Sequence, residues 1–237
     1  MKTRTLLFAS IVLVSFVAFG RIIKVSDPKT LIADSKLVFV GRVQSVKPSD
    51  NRTTLSYPTW EGVSFQWLRV EVKVLEPFKG VRKGDVVHTM MLSMDKSKEP
   101  GMYSPPGMLE PDKDDVFFLC LAPTTITNVF AALAAPFDEN LSVFALHRSQ
   151  RTEDFRDSTK RWLSRDKRFA LIWGLVNEAG EILPDGAARL RDAYATEIGK
   201  VPTNNVIYLE WETYTNQSGW RSDVPKGFSP KTNSNSR

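Results

Sequence analysis

The sequence predicts a mainly β fold with a helical C-terminal appendage, an α+β arrangement whose β part is a small antiparallel barrel of five or six strands. Three observations point there. Apolar runs of strand character fill residues 37–146 and are parted by turns rich in Gly, Pro and Asp. From about residue 150 the apolar spacing changes to that of helices. Strands come first and helices follow, without the strand–helix alternation of a parallel sheet.

Each element has a local reason. Asp27-Pro28 through Ala33-Asp34-Ser35-Lys36 reads as a short helix, with Asp27 as cap, Pro28 at the first helical position, and Leu31, Ile32 and Val25 on its buried side. Leu37–Val46 begins apolar on both faces, then alternates, and ends at Lys47-Pro48-Ser49-Asp50-Asn51. Residues 50–63 read as a loop. Phe65–Leu75 is the clearest strand. Leu68, Val70, Val72 and Val74 face one way and Arg69, Glu71 and Lys73 the other, the period of two expected between a core and water. Glu76-Pro77-Phe78-Lys79-Gly80 and Lys83-Gly84-Asp85 are turns before a third strand, Val86–Leu92. After a polar loop over 94–114, Val116–Leu121 is a buried strand, and Val129–Ala135 and Leu141–Leu146 are two more. Five short strands with one solvated face suit a partly open barrel of the oligonucleotide/oligosaccharide-binding (OB) type.

Farther on, Phe155, Trp162, Leu163, Phe169, Ala170, Trp173 and Val176 predict one amphipathic helix or two broken ones over 153–178, stopped at Asn177 or Gly180. Ala187, Leu190, Ala193, Tyr194 and Ile198 predict a helix from Pro184 to Ile198, with Gly199 as its stop. Val206–Trp211 reads as a short strand, and the polar chain after Tyr214 as a disordered tail. The expected organisation is a signal peptide over 1–20, an OB-like barrel domain over 21–149, a helical segment over 150–200, and an extended segment and tail over 201–237. Packing of the helical segment on the barrel and a separate lobe are both open at this level.

Ala33-Asp34-Ser35-Lys36-Leu37-Val38-Phe39-Val40-Gly41-Arg42-Val43 resembles the helix-to-first-strand entry of netrin-like domains, among them the tissue inhibitors of metalloproteinases. Val72-Lys73-Val74-Leu75-Glu76-Pro77-Phe78-Lys79-Gly80 and Lys83-Gly84-Asp85-Val86-Val87 are similar to their second strand, turn and third strand, and Val116–Leu121 to their central apolar strand. The resemblance spans about residues 26–147 and implies a five-stranded barrel that binds proteins. The inhibitors grip a catalytic zinc through an N-terminal cysteine and carry disulfides. This chain has neither feature, so metalloproteinase inhibition does not carry over, and no functional residue of the family maps onto a position here.

The N-terminus carries an export pattern. Met1-Lys2-Thr3-Arg4-Thr5 is basic, Leu6 to Phe19 is apolar, and Ala18 and Gly20 place small residues before a cut at Arg21. The apolar run falls short of the roughly 20 residues a membrane helix needs, so a cleaved signal is expected rather than an anchor. No cysteine near the cut supports a lipid-anchored form. We therefore expect an exported protein, periplasmic or secreted. The formal charge of +5 falls by two when Lys2 and Arg4 leave, a mild excess that does not mark a nucleic-acid binder. Cys120 is the single cysteine. It lies in the apolar run Val116–Leu121, and reads as a small buried hydrophobe rather than a reactive thiol.

The chemistry-bearing residues are few. His88 and His147 stand in or at the end of strands, one expected to be half-buried and the other at the surface, without the converging ligands of a metal site. Neither a Gly-x-Ser-x-Gly elbow, a phosphate-cradling loop nor a His-Glu-x-x-His sequence is present. The acid pairs Asp114-Asp115 and Glu153-Asp154 precede a buried strand and open a helix, both structural settings. Asn51-Arg52-Thr53, Asn140-Leu141-Ser142 and Asn216-Gln217-Ser218 match the N-glycosylation pattern. The most suggestive surface feature is basic and interleaved with aromatics: Lys160, Arg161, Trp162, Arg165 and Arg168, with Lys167 beside them. It would suit an acidic partner or an anionic lipid surface.

These observations lead to the expectation of an exported, non-enzymatic protein-binding module whose partner is another exported protein, with no cofactor, no metal and no nucleic acid. The alternatives are an exported hydrolase with a dispersed site around His88 or His147, and a peripheral membrane-surface protein acting through residues 155–176.

Overall fold

The structure, a computed structural model, describes residues 27–55, 63–94, 111–132, 143–150, 167–202, 204–207 and 212–213. Its strands are β1 (Leu37–Leu55), β2 (Val63–Lys79), β3 (Val86–Met94), β4 (Val116–Pro123), β5 (Val129–Ala132), β6 (Val143–His147) and β7 (Glu212–Thr213). Its helices are α1 (Pro28–Asp34), α2 (Ala170–Trp173, entered through a 3-10 turn at Lys167–Phe169), α3 (Pro184–Ala193) and α4 (Ala195–Gly199).

Pairing closes five strands into a barrel in the order β1-β2-β3-β5-β4 and back to β1, with β6 added beside β4 and β7 beside the far end of β1. This is the mainly β, OB-like barrel the strand pattern predicts. One pairing departs from the antiparallel expectation: β5 runs parallel to β3, with His88 opposite Val129 and Met90 opposite Ala131. The hairpin between β4 and β5 fixes their mutual direction locally. The direction of β5 against β3 follows only from closure, which sequence period does not report.

Strands β1 and β2 run past their expected ends. Pro48 is a stop signal in the sequence, yet β1 continues, because a register shift falls between Pro48 and Arg52 and a proline without an N–H is tolerated at such an irregularity. Pro77 lies opposite Phe39 beside another shift. In the helical segment, residues 153–166 lie outside the described residues. The described part ends at Trp173 rather than near residue 178: Gly174 N–H donates to Ala170 O at 2.9 Å, and Val176 then bridges Ile182. Asn177 and Gly180, expected as helix stops, build the turn of that bridge. The Asn177 carboxamide oxygen accepts from the N–H groups of Ala179 and Glu181, and Gly180 has φ +75°. The helix expected over Pro184–Ile198 breaks at Tyr194 into α3 and α4. Of the strand expected over 206–211, Ile207 makes one parallel bridge to Thr124, and residues 208–211 lie outside the described residues. So do the signal region, the glycosylation pattern at 216–218 and the tail.

Two apolar layers share one wall. Leu37, Phe39, Val43, Val70, Val72, Phe117, Leu119 and Leu121 fill the barrel. The alternate residues Val38, Val40, Val116, Phe118 and Cys120 point outward and pack with Ile32, Phe144, Phe169, Ile172, Leu175, Leu190 and Tyr194. Strands β1 and β4 are thus buried on both faces where they pair, which explains their unbroken apolar sequence. The helices pack on the barrel rather than forming a separate lobe; Phe144 stacks on Phe169 with centroids 6.1 Å apart. Each fully buried Phe or Leu contributes about 1.5–3 kcal/mol.

Polar clamps hold the helical layer. Asp27 caps α1 by accepting from Lys29 N–H at 3.0 Å. At the other end Lys79 Nζ donates to the carbonyls of Ile32 and Ala33, each at 2.9 Å, and burial lowers its pKa below the usual lysine range. Arg191 of α3 pairs with Glu76, donates to Pro77 O and covers the Phe78 ring at 5.0 Å. Cys120 is fully buried and burial pushes its thiol up to about 12, against smaller opposing effects of Ser35 and Lys79. It is an inert packing residue, as its sequence setting predicts.

Candidate interaction surface

The register of β1, β2 and β3 aligns three rows of side chains on the outer face of the barrel. Directly opposite residues of an antiparallel pair share a face. Val72, Val70 and Leu68 point inward with Val43 and Val46, so the residues between them point out. The first row pairs Arg42 with Lys73. The second runs Ser45, Glu71, His88. The third pairs Lys47 with Arg69. A register shift between Val43 and Ser45 lets β1 skip Gln44 and bring Ser45, rather than its neighbour, opposite Glu71.

Charge is distributed unevenly over these rows. Lys47, Arg69 and Lys73 are exposed and Arg42 half-buried. In both flanking rows a cation stands opposite a cation, at the roughly 4.5–5.5 Å Cβ separation of such pairs, an arrangement that destabilises a sheet. None of the four has an ion-pair partner among the described residues. The middle row differs. Ser45 Oγ donates to Glu71 Oε2 at 2.8 Å, and Glu71 Oε1 lies 3.9 Å from His88 Nδ1. The carboxylate is held at the centre of the face, anchored from one strand and flanked from another. Along β2 the two cation rows are four residues apart, roughly 13 Å at strand rise.

The middle row does not reproduce a nucleophile. A serine is activated when an imidazole accepts its proton and a carboxylate orients that imidazole. Here the carboxylate stands between, Ser45 donates to it directly, and the distance to His88 exceeds a hydrogen bond. His88 is also more exposed than its half-buried expectation, at 56% of its side chain.

His147 ends β6 as expected and is half-buried, its ring packed against Gly180, where an added Cβ would stand 2.8 Å from Cγ. Burial lowers its pKa below the usual histidine range, Asp115 opposes this, and Arg42 reinforces it. Asp115 itself is structural. Its carboxylate accepts from Asp112 N–H at 2.8 Å, from Ser149 N–H at 2.9 Å and from Ser149 Oγ at 3.2 Å, and it pairs with Arg148. No group of three or more His, Cys, Asp or Glu among the described residues is placed to hold a metal ion.

Of the basic cluster singled out in the sequence, Lys160, Arg161, Trp162 and Arg165 lie outside the described residues. Arg168 sits in the 3-10 turn before α2, with its guanidinium 5.8 Å from the Phe169 ring centroid and its carbonyl accepting from Tyr194 Oη at 3.4 Å. The neighbouring apolar residues Phe169, Ile172 and Leu175 are committed to the core, so in this fold they do not face a lipid surface. No helix among the described residues is long and apolar enough to cross a membrane.

The sequence exposes Arg69, Glu71 and Lys73 as a water-facing series, but Arg42, Ser45, Lys47 and His88 join them only through register. The sequence signal available was the excess of cations at outward positions of two neighbouring strands. No protein-family model matches this chain, and no curated protein matches it either.

Proposed function

We propose that this chain is an exported, non-enzymatic module that binds another exported protein through the outer face of β1, β2 and β3. One observation carries the reading: Arg42 faces Lys73 and Lys47 faces Arg69 across the same two strands, with no acidic partner among the described residues. A sheet that sets like charges opposite each other stores an electrostatic cost that an anionic ligand relieves. The face of strands β2 and β3 is also where barrels of this type take up oligonucleotide and oligosaccharide chains, and the resemblance to netrin-like domains implies protein binding. Export rests on the basic, apolar and small-residue order of residues 1–20.

The test is affinity capture with the tagged, export-processed chain, read by mass spectrometry, alongside an Arg69→Glu/Lys73→Glu variant. Recovery of one stoichiometric exported protein supports the module. Hydrolytic turnover lost on mutating His88 or Glu71 would overturn it.

A further inference from the structure

From the middle row of this face we infer the charge pattern of the ligand: an extended protein segment with acidic residues at positions i and i+4 and a hydrogen-bond donor or cation at i+2. The inference rests on the binding reading above and deepens it.

Along β2 the outward residues are Lys73, Glu71 and Arg69, and β1 doubles the outer two with Arg42 and Lys47. The face therefore reads positive, negative, positive at steps of two residues, about 7 Å each. An extended peptide lying along β1 and β2 repeats at the same step, because its alternate side chains point to one side. Its residues i and i+4 fall over the two cation rows and residue i+2 falls over Glu71.

Glu71 cannot simply swing away from this position without losing its hydrogen bond from Ser45. Ser45 reaches it from β1 and His88 stands near it from β3. A ligand of uniform negative charge, such as a sulfated glycan, a nucleic acid or an anionic lipid surface, would set negative charge against this carboxylate in every pose. Like-charge juxtaposition of this kind is how interfaces reject wrong partners. A peptide differs in that each position can carry its own sign. The arrangement thus favours a patterned protein segment over a polyanion.

Fluorescence anisotropy on the export-processed chain tests this with two labelled peptides, both Thr-rich with glutamates four residues apart, one with lysine and one with glutamate midway. The expected result is that the lysine peptide binds at least about tenfold tighter at low salt, with the difference shrinking as salt is raised. Glu71→Gln should erase the discrimination by strengthening the all-acid peptide. Arg69→Glu/Lys73→Glu should weaken the lysine peptide about tenfold or more while the melting curve stays cooperative. Equal or tighter binding of the all-acid peptide, or no binding of either, overturns the inference. If the captured native partner binds wild type and the double variant equally, the inference falls together with the assignment of binding to this face, and only the protein-binding role stands. If no partner is captured and neither peptide binds, both fall.

Discussion

Arg148 Nη1 lies 3.0 Å from Asp115 Oδ2, with the arginine side chain 11% exposed and the aspartate 1% exposed. The pair ties the start of β4 to the residue after β6. It is made possible by Asp114, whose φ of +71° turns the chain so that Asp114 N–H donates to Val43 O and Val43 N–H donates to Asp115 O. The guanidinium also lies 5.9 Å from the Phe117 ring centroid.

Asp115→Ala removes an acceptor for three protein donors and leaves Arg148 buried beside the gap. Breaking a buried pair from one side costs about 3–5 kcal/mol. Urea unfolding should show this loss, and Asp115→Asn, which keeps one of the two acceptor oxygens, should lose less. An unchanged midpoint for Asp115→Ala would mean that the pair is dispensable.

His147 predicts a pH dependence. Its folded pKa is lowered from 6.5, chiefly by burial, with Asp115 opposing and Arg42 adding to the effect. Above about pH 6.5 both folded and unfolded chains hold a neutral imidazole. As pH falls through 6.5 the unfolded chain takes up the proton first, so stability declines until the folded imidazole is protonated too. His147→Gln should flatten this part of the profile between pH 7.5 and 5. Parallel profiles for the two proteins would rule the mechanism out.

Gly186 lies in the first turn of α3, where alanine would ordinarily favour the helix by about 1 kcal/mol. Here an added Cβ runs into the carbonyl oxygen of Gly174, and backbone does not rotate aside as a side chain does. Overpacking of about 1–3 kcal/mol should outweigh the helix gain. We expect Gly186→Ala to lower the melting temperature. A rise would show that α3 can move away from the 174–176 turn freely.

Lys73→Glu converts one like-charge pair into an attractive one facing Arg42. Folding stability should rise by about 0.5 kcal/mol at low salt and the gain should fade at high salt. The same substitution should weaken ligand binding. Stability gained where binding is lost is the signature expected if this face is kept for a ligand rather than for the fold.

The barrel was legible because its strands carry the period of two over Leu68–Val74 and bury unbroken runs at Leu37–Val40 and Val116–Leu121. The parallel pairing of His88 with Val129 was not, since it arises from closure and not from any local pattern. Pro48 misled as a stop because the register shift that accommodates it is a property of two strands together. The basic stretch around residue 165 drew notice because its cations are adjacent in sequence. The face built by Arg42, Lys47, Arg69 and Lys73 is scattered along the chain, and only the β1–β2 register assembles it.

The wall shared by β1 and β4 means that the barrel and the helices are not separable parts. A fragment ending near residue 149 would keep every strand of the closed barrel yet present Val38, Val40, Phe118 and Cys120 to water as a contiguous greasy stripe. Such a fragment should self-associate rather than behave as a miniature of the whole. Denaturation of the intact chain should melt sheet and helix signals together, because the helices bury their apolar side against the outer face of β1 and β4 and the barrel needs that cover.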